Sequence, residues 1–189
     1  MPRARKGKGP GRSLAPARRL APAGGSVEGS VRRDPYRAKL IGAEAYAAKV
    51  ALVGRLVVVL RGHVDRRRLV LIPQPSRAVA MHDVHELITT GEPGAAPGAS
   101  VNRIAYLGFV AFQRGGVVLA GDEVRVGRRL VGRVAGYDLT HMPNHMNIVI
   151  AAPRAASGED LGLRLGARVV IAAPGRAGRP PRRGDGRGS

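Results

Sequence analysis

The feature that most constrains the fold is a succession of short β-branched runs, separated by glycine and proline, that begins near Val50. Such runs have the length and composition of strands. They cover 56–60, 69–72, 84–89, 101–112, 117–120, 123–126, 130–136, 148–152 and 168–172. We therefore expect an all-β fold, a small closed or partly open β-barrel of about seven to nine short strands, with a β-sandwich as the related alternative.

Local patterns add detail to this expectation. The segments 120–126 and 165–171 repeat one pattern, in which an apolar residue precedes a glycine, a two-residue turn and alternating valines. The glycine of such a turn can take a positive φ, and the alternation directs one face of the strand toward a core. Gly108 predicts a bulge inside the longest run. The runs 56–60 and 69–72 flank a loop that predicts a hairpin.

The basic charge of the chain is concentrated at its ends. The 189 residues include 32 Lys and Arg against 13 Asp and Glu, a formal net charge of +19. Residues 1–33 carry +8, residues 174–189 carry +4, and the body between them carries +7. Both ends lack apolar periodicity, so we predict a disordered basic tail over 1–33 and a disordered Arg/Gly/Pro tail over 174–189. A single β-barrel domain is predicted between them, over 34–173, with at most one short helix over 36–48.

Several classes of protein are excluded by what the sequence lacks. It has no cysteine, which rules out disulfides, thiolate metal centres and cysteine nucleophiles. No apolar run approaches the roughly 18 residues of a membrane-spanning helix, and no secretory signal follows the basic N-terminus. We therefore expect a cytoplasmic protein without a membrane partner. No phosphate-binding loop, dinucleotide-binding fingerprint or nucleophile elbow is present.

Other residue types with chemical potential have structural interpretations. The paired carboxylates Asp122-Glu123 and Glu159-Asp160 lie in turns, where we expect them to be solvated. Tyr106, Phe109 and Phe112 lie on the longest predicted strand, where we expect them in the core rather than on a base-stacking surface.

Four motifs resemble a known family. They are NRIAYLGF at 102–109, GDEV at 121–124, GRVAGYD at 132–138 and THMPNH at 140–145. Together they resemble a family of small prokaryotic proteins, a domain of unknown function, over roughly residues 50–152. The resemblance implies that both tails are accessory. It implies no activity, substrate or cofactor.

Four of the five histidines fall in two short segments, 82–86 and 138–147. Imidazole and carboxylate groups are the ligands of divalent metals where thiolates are missing. If both segments end strands at one mouth of a barrel, their side chains can form a pocket. A strand over 82–86 would place His82 and Glu86 on one face and His85 on the other, whereas a helical turn would bring all three together.

This pocket carries our main functional hypothesis, a protein that handles a small molecule or a metal. We expect His141, His145, Asp138 and Asn144 to be the catalytic or substrate-contacting residues, with one histidine transferring a proton. A divalent metal, if bound, is expected on His82, His85 and Glu86 with His141 or His145. The sequence leaves open whether the protein is an enzyme, and also its oligomeric state.

Two alternatives belong to other functional classes. The first is a nucleic-acid-binding or ribonucleoprotein-associated module that uses the basic tails. The second is a non-catalytic scaffold that docks a partner protein.

Overall fold

A computed structural model describes residues 50–175, and these residues form an all-β fold without a helix, as predicted. The strands in chain order are β1 Leu52–Val59, β2 His63–Val64, β3 Leu69–Val70, β4 Ser76–Val79, β5 Val84–Thr90, β6 Ser100–Val101, β7 Ile104–Arg114, β8 Gly116–Leu119, β9 Glu123–Val126, β10 Arg129–Asp138, β11 Asn147–Ala151 and β12 Arg168–Ala172. Within 50–175 there is no helix that is long and apolar enough to span a membrane. The predicted tail 1–33, the predicted helix 36–48 and the predicted tail 174–189 beyond Gly175 lie outside the described residues.

Seven strands form a hydrogen-bonded ring. Their order is β1, β12, β9, β10, β11, β5 and β7, and β7 pairs again with β1. Neighbours in the ring are antiparallel except β5 and β11, which are parallel. The short strand β2 extends the sheet beside β7, while β3 pairs with β6 and β4 with β8. The fold is therefore a mixed sheet built mainly from pairings between distant parts of the chain.

The ring has seven strands, within the expected seven to nine, and five further short strands lie beside it, but the expected hairpin was wrong. Each predicted run overlaps an observed strand, and the run 101–112 overlaps both β6 and β7. The strands β2 and β4 were not predicted, because they are short and partly polar. The strand β1 does not pair with β3, because β12 and β7 occupy both of its hydrogen-bonding edges. The strand β3 pairs instead with β6.

A core lies inside the ring, and all seven ring strands contribute to it. Its largest fully buried side chains include Tyr137, Phe112, Leu52, Leu56 and Leu87. A second cluster lies on the opposite face of the sheet, where Leu69, Leu71 and Val101 cover Ile88, Val149 and other residues of the ring. Because successive side chains of a strand point to opposite faces, β5 and β11 each supply both clusters. These two strands are consequently buried on both sides.

The predicted turns and bulge are present. Gly121 and Gly166 have φ values of +92° and +75°, and the strands that follow them, β9 and β12, pair with each other. At Gly108 the register between β5 and β7 shifts, as a bulge requires. A Cβ atom at Gly108 would overlap with the carbonyl oxygen of Val58 on β1, so only glycine permits this close approach of two strands.

One expectation about the paired carboxylates was wrong. Asp122 and Glu123 are buried rather than solvated. Asp122 accepts a hydrogen bond from the backbone N–H of Leu119 at 2.8 Å, which closes the turn before β9. Glu123 forms ion pairs with Arg125 and Arg133 at 3.5 and 3.4 Å. Glu159 and Asp160 are exposed, as expected.

Candidate functional site

A row of four side chains crosses four neighbouring strands on the outer face of the ring. Phe109 on β7 lies opposite Glu86 on β5, Glu86 lies opposite Asn147 on β11, and Asn147 lies opposite Asp138 on β10. Glu86 precedes Ile88 by two residues and Asn147 precedes Val149 by two, so both share the face of the second cluster. The pairing of β5 with β11 thus joins the two histidine-bearing segments.

The polar part of this row is buried and partly satisfied. Glu86, Asn147 and Asp138 are exposed by 7%, 0% and 3%. The Asn147 Nδ2 group donates to Asp138 Oδ2 at 2.8 Å, and the Thr140 hydroxyl donates to Asp138 Oδ1 at 2.6 Å. The Asn147 Oδ1 atom, in contrast, is buried without a hydrogen-bond partner among the described residues. A buried acceptor without a donor is costly and requires an explanation.

The loop between β10 and β11 brings two histidines over this row. Two successive turns, with hydrogen bonds from Met142 N to Leu139 O and from His145 N to His141 O, fold the loop back on itself, and the Met142-Pro143 peptide bond is cis. The rings of His141 and His145 stack with their centroids 4.9 Å apart. His141 is exposed, whereas His145 is partly buried.

His145 contacts two members of the buried row. Its ring meets the ring of Phe109 edge-on at 5.1 Å, and its Nε2 atom lies 4.0 Å from Glu86 Oε2. Burial raises the pKa of Glu86, and the charge of Asp138 adds to this rise, while the positive charges of His141 and Arg67 oppose it. Burial lowers the pKa of His145, and His141 lowers it further. The pKa values of the two groups are therefore shifted toward each other.

His85 lies on the other face of β5, as the strand alternation requires. Its Nδ1 atom accepts a hydrogen bond from the backbone N–H of Met146 at 3.2 Å, which fixes the neutral ring with its proton on Nε2. Nε2 lies 3.7 Å from Asp83 Oδ2. Burial lowers the pKa of His85 despite the nearby Asp83 charge. His85 thus anchors the residue that precedes β11 rather than lying among the side chains of the outer face.

The expected metal ligands are not assembled. Within residues 50–175, no group of three or more histidine and carboxylate side chains is positioned to hold a metal ion. His85 and Glu86 are consecutive on β5 and point to opposite faces, and His82 is exposed in the turn before that strand. Asn144 is also exposed, and its amide nitrogen lies 3.1 Å from His145 Nδ1. Asn144 therefore lies on the solvent-exposed side of the loop between β10 and β11.

Three residues of the site were not among the site residues that the sequence predicts. Phe109 was expected in the core but lies half-buried against His145. Of the three aromatic residues expected in the core, Phe112 belongs to the core inside the ring and Tyr106 packs against the second cluster. Arg67 comes from the loop between β2 and β3 and acts on Glu86 electrostatically. Asn147 is the last residue of the histidine-bearing segment 138–147. Its position at the end of the histidine segment and the start of a strand was the only signal available.

Comparison with known proteins agrees with the expected family of unknown function. The sequence model of a family of unknown function, DUF6917, matches residues 46–172, which include every described strand. No curated protein and no solved structure matches the chain. Since the match covers most of its length, the chain belongs to the DUF6917 family of unknown function.

Proposed function

We propose that the ring of strands is a small β-barrel and that the protein binds a small polar molecule beside His141 and His145, with Glu86 and His145 exchanging a proton with it. The observation that carries this proposal is the 4.0 Å approach of His145 Nε2 to Glu86 Oε2. General acid–base catalysis is most effective when the pKa of the catalytic group lies near the working pH. Burial shifts the pKa of both groups in that direction.

The proposed pair holds one exchangeable proton. In one form Glu86 is a neutral carboxylic acid beside a neutral His145, and in the other a carboxylate faces an imidazolium. Because the two pKa values approach each other, the two forms differ less in free energy than they would in water. His141 stacks on His145 at the solvent side, so a ligand that contacts these rings reaches the pair.

Asn147 supports the acid form of Glu86 in this proposal. Its Nδ2 group is engaged by Asp138, which leaves the buried Oδ1 atom as a free acceptor. Glu86 lies opposite Asn147 in the register of β5 and β11. A protonated Glu86 carries an O–H group that can donate to Asn147 Oδ1, and the acceptor is then satisfied.

The experiment measures the two pKa values by NMR and then tests binding. Carbon-detected titration of the Glu86 carboxyl group should give a pKa above 4.5, and proton-detected titration of the His145 ring should give one below 6.5. A saturation-transfer screen follows, with hydroxy acids, amides and amines as probes. We expect probes that bind the wild type to bind more weakly, or not at all, to Glu86→Gln and to His145→Gln.

The control is Glu159→Gln, which removes the same charge at an exposed turn position. It should leave both pKa values and all probe binding unchanged. Ordinary pKa values for Glu86 and His145, or probe binding that survives both substitutions in the site, would contradict the proposal.

A further inference from the structure

Two cavities lie at the end of the parallel pair β5 and β11 that is opposite to Glu86 and Asn147. Their volumes are about 280 and about 290 Å³. Pro153 and Arg154, which follow β11, line both of them. Four residue steps of strand separate Asn147 from Ala151, so the cavities lie roughly 13 Å along the sheet from the proposed proton-transfer pair. They are therefore a separate feature of the molecule.

The first cavity is walled by apolar side chains and has two guanidinium groups among its lining residues. Leu130, Val131 and Leu161 contribute to the apolar wall, and Arg129 and Arg154 are the two cations. Arg129 donates to the carbonyl oxygen of Leu161 at 3.1 Å. The cavity thus combines an apolar interior with positive charge.

The wall of this cavity is held by a buried hydroxyl group. The Thr89 hydroxyl donates to Ala156 O at 2.7 Å and accepts from Ala156 N at 2.9 Å. These two bonds fasten the segment that carries Arg154 to the end of β5. They also engage the Thr89 hydroxyl, which leaves the arginines as the polar groups available to a ligand.

The second cavity lies on the other side of Arg154, and its lining side chains have mixed charge. His63, Asp65 and Arg103 line it together with Arg154. The carboxylate of Asp160 lies 2.8 Å from His63 Nε2, and Arg103 lies 3.9 Å from Glu92. Among the residues that the structure describes, the Arg154 side chain has no hydrogen-bond or ion-pair partner. Arg154 is therefore a cation between two cavities that is free to take an anion.

We propose that these cavities bind a small amphipathic carboxylate, with its hydrocarbon part in the cavity of Leu130, Val131 and Leu161 and its carboxylate on Arg154. The planar guanidinium group matches a carboxylate with two parallel hydrogen bonds, which explains the choice of acid over alcohol or amine. The apolar wall gives up its contact with water when a hydrocarbon chain covers it, which explains the choice over a fully polar anion. The volume of the first cavity is close to the lower limit of ligand pockets, about 300 Å³, so the hydrocarbon part is short.

The test is a titration of the full chain with hexanoate, followed through the backbone amide resonances. Hexanol and hexylamine serve as probes with the same hydrocarbon part. We expect hexanoate to shift the amides of residues 152–156 and to bind about tenfold more tightly than hexanol, which corresponds to one charge-assisted anchor. Hexylamine should bind less tightly than hexanol, because Arg129 and Arg154 are the charged residues that line the first cavity.

Three variants assign the two parts of the site. Arg154→Gln should reduce the affinity for hexanoate about tenfold and leave the affinity for hexanol unchanged. Leu130→Ser should weaken the binding of both. Arg128→Gln removes an exposed arginine that lines neither cavity and should change nothing. All three substituted positions are exposed, so we expect each variant to fold, and its amide spectrum checks this.

Three results would overturn the proposal. They are equal affinities for hexanoate and hexanol, an affinity for hexanoate that Arg154→Gln leaves unchanged, and no amide shifts at millimolar hexanoate. Each of these would leave the proposed role of Glu86 and His145 in place, since that role rests on the other end of the strands.

Discussion

His145 Nε2 lies 4.0 Å from Glu86 Oε2. Glu86 is on β5 and His145 is in the loop before β11, and the parallel pairing of β5 with β11 brings the two residues together. Burial disfavours the charged form of both groups, since it raises the pKa of Glu86 and lowers the pKa of His145. The site is therefore not arranged for maximum stability. A protein that buries ionisable groups in a functional site commonly becomes more stable when those groups are replaced.

The first prediction is that Glu86→Gln stabilises the protein at neutral pH. Because the pKa of Glu86 is raised by folding, the folded state holds this proton more tightly than the unfolded state does. The contribution of Glu86 to the free energy of unfolding is fully present below pH 4.5 and is lost as the pH rises through the raised pKa. We expect Glu86→Gln to gain about 0.5–2 kcal/mol at pH 7.5, measured by urea denaturation.

Measurement at pH 4 supplies the comparison for this prediction. There the wild-type carboxyl group is protonated in the folded state, and the two proteins should differ much less. A variant that is less stable than the wild type at pH 7.5 would show that Glu86 is a stabilising anion, contrary to the shift of its pKa.

A second prediction concerns the hydrogen bond from Met146 N–H to His85 Nδ1. The pKa of His85 is lowered by folding, so its contribution to stability is present above pH 6.5 and is lost as the pH falls. His85→Gln keeps an acceptor for Met146 but cannot be protonated. We expect this variant to lose part of the decrease in unfolding free energy that the wild type shows between pH 7.5 and 5.5.

His82→Gln is the matched control, because His82 is a nearby but exposed histidine. Its unfolding free energy should follow the wild-type pH dependence. If His85→Gln and His82→Gln behave alike, burial of the His85 ring is not the source of the acid sensitivity.

The third prediction tests the close approach of β1 and β7 at Gly108. A methyl group at this position would overlap with the carbonyl oxygen of Val58, which belongs to the backbone and cannot turn away. We expect Gly108→Ala to lower the free energy of unfolding by about 3 kcal/mol or more. Gly94→Ala, where a Cβ atom meets nothing within 4 Å, should change it by less than about 0.5 kcal/mol. Similar effects of both substitutions in thermal denaturation would contradict the ring closure described here.

The fourth prediction concerns the Thr89 hydroxyl, which bonds both backbone groups of Ala156. Thr89→Val keeps the shape of the side chain but leaves a buried N–H and a buried C=O of Ala156 without that partner. We expect a loss of about 2 kcal/mol in unfolding free energy. Thr89→Ser retains the hydroxyl group and should recover most of that loss, whereas an equal loss in both variants would assign the effect to packing of the methyl group.

Much of the strand pattern was predictable from the sequence, because it is local. The alternation at Val124 and Val126 and at Val169 and Ile171, each after a glycine turn, located β9 and β12 correctly. The hairpin between 56–60 and 69–72 was wrong because strand pairing depends on which edges are free, and distant strands occupy both edges of β1. The short strands β2 and β4 owe their conformation to their partners rather than to their own composition.

The candidate site was predictable only as two segments. Glu86 and His145 were both among the expected residues, but their roles were divided between a metal set and a catalytic set. Phe109 and Arg67 carried no signal, since they reach the site through the register of β7 and through a loop. The burial of Asp122 and Glu123 was likewise unforeseen, because exposure of a turn depends on what packs over it.

Local patterns were enough to predict an all-β fold, the glycine positions of its turns and the two segments that carry its histidines, since periodicity and backbone preference act over a few residues. The parallel pairing of β5 with β11, which places Glu86 opposite Asn147 and near His145, became visible only in the folded chain. This pairing requires the ring to close through hydrogen bonds between strands that are distant in the sequence. No local pattern encodes it, because the free energy that selects one register comes from burying both faces of the sheet at once.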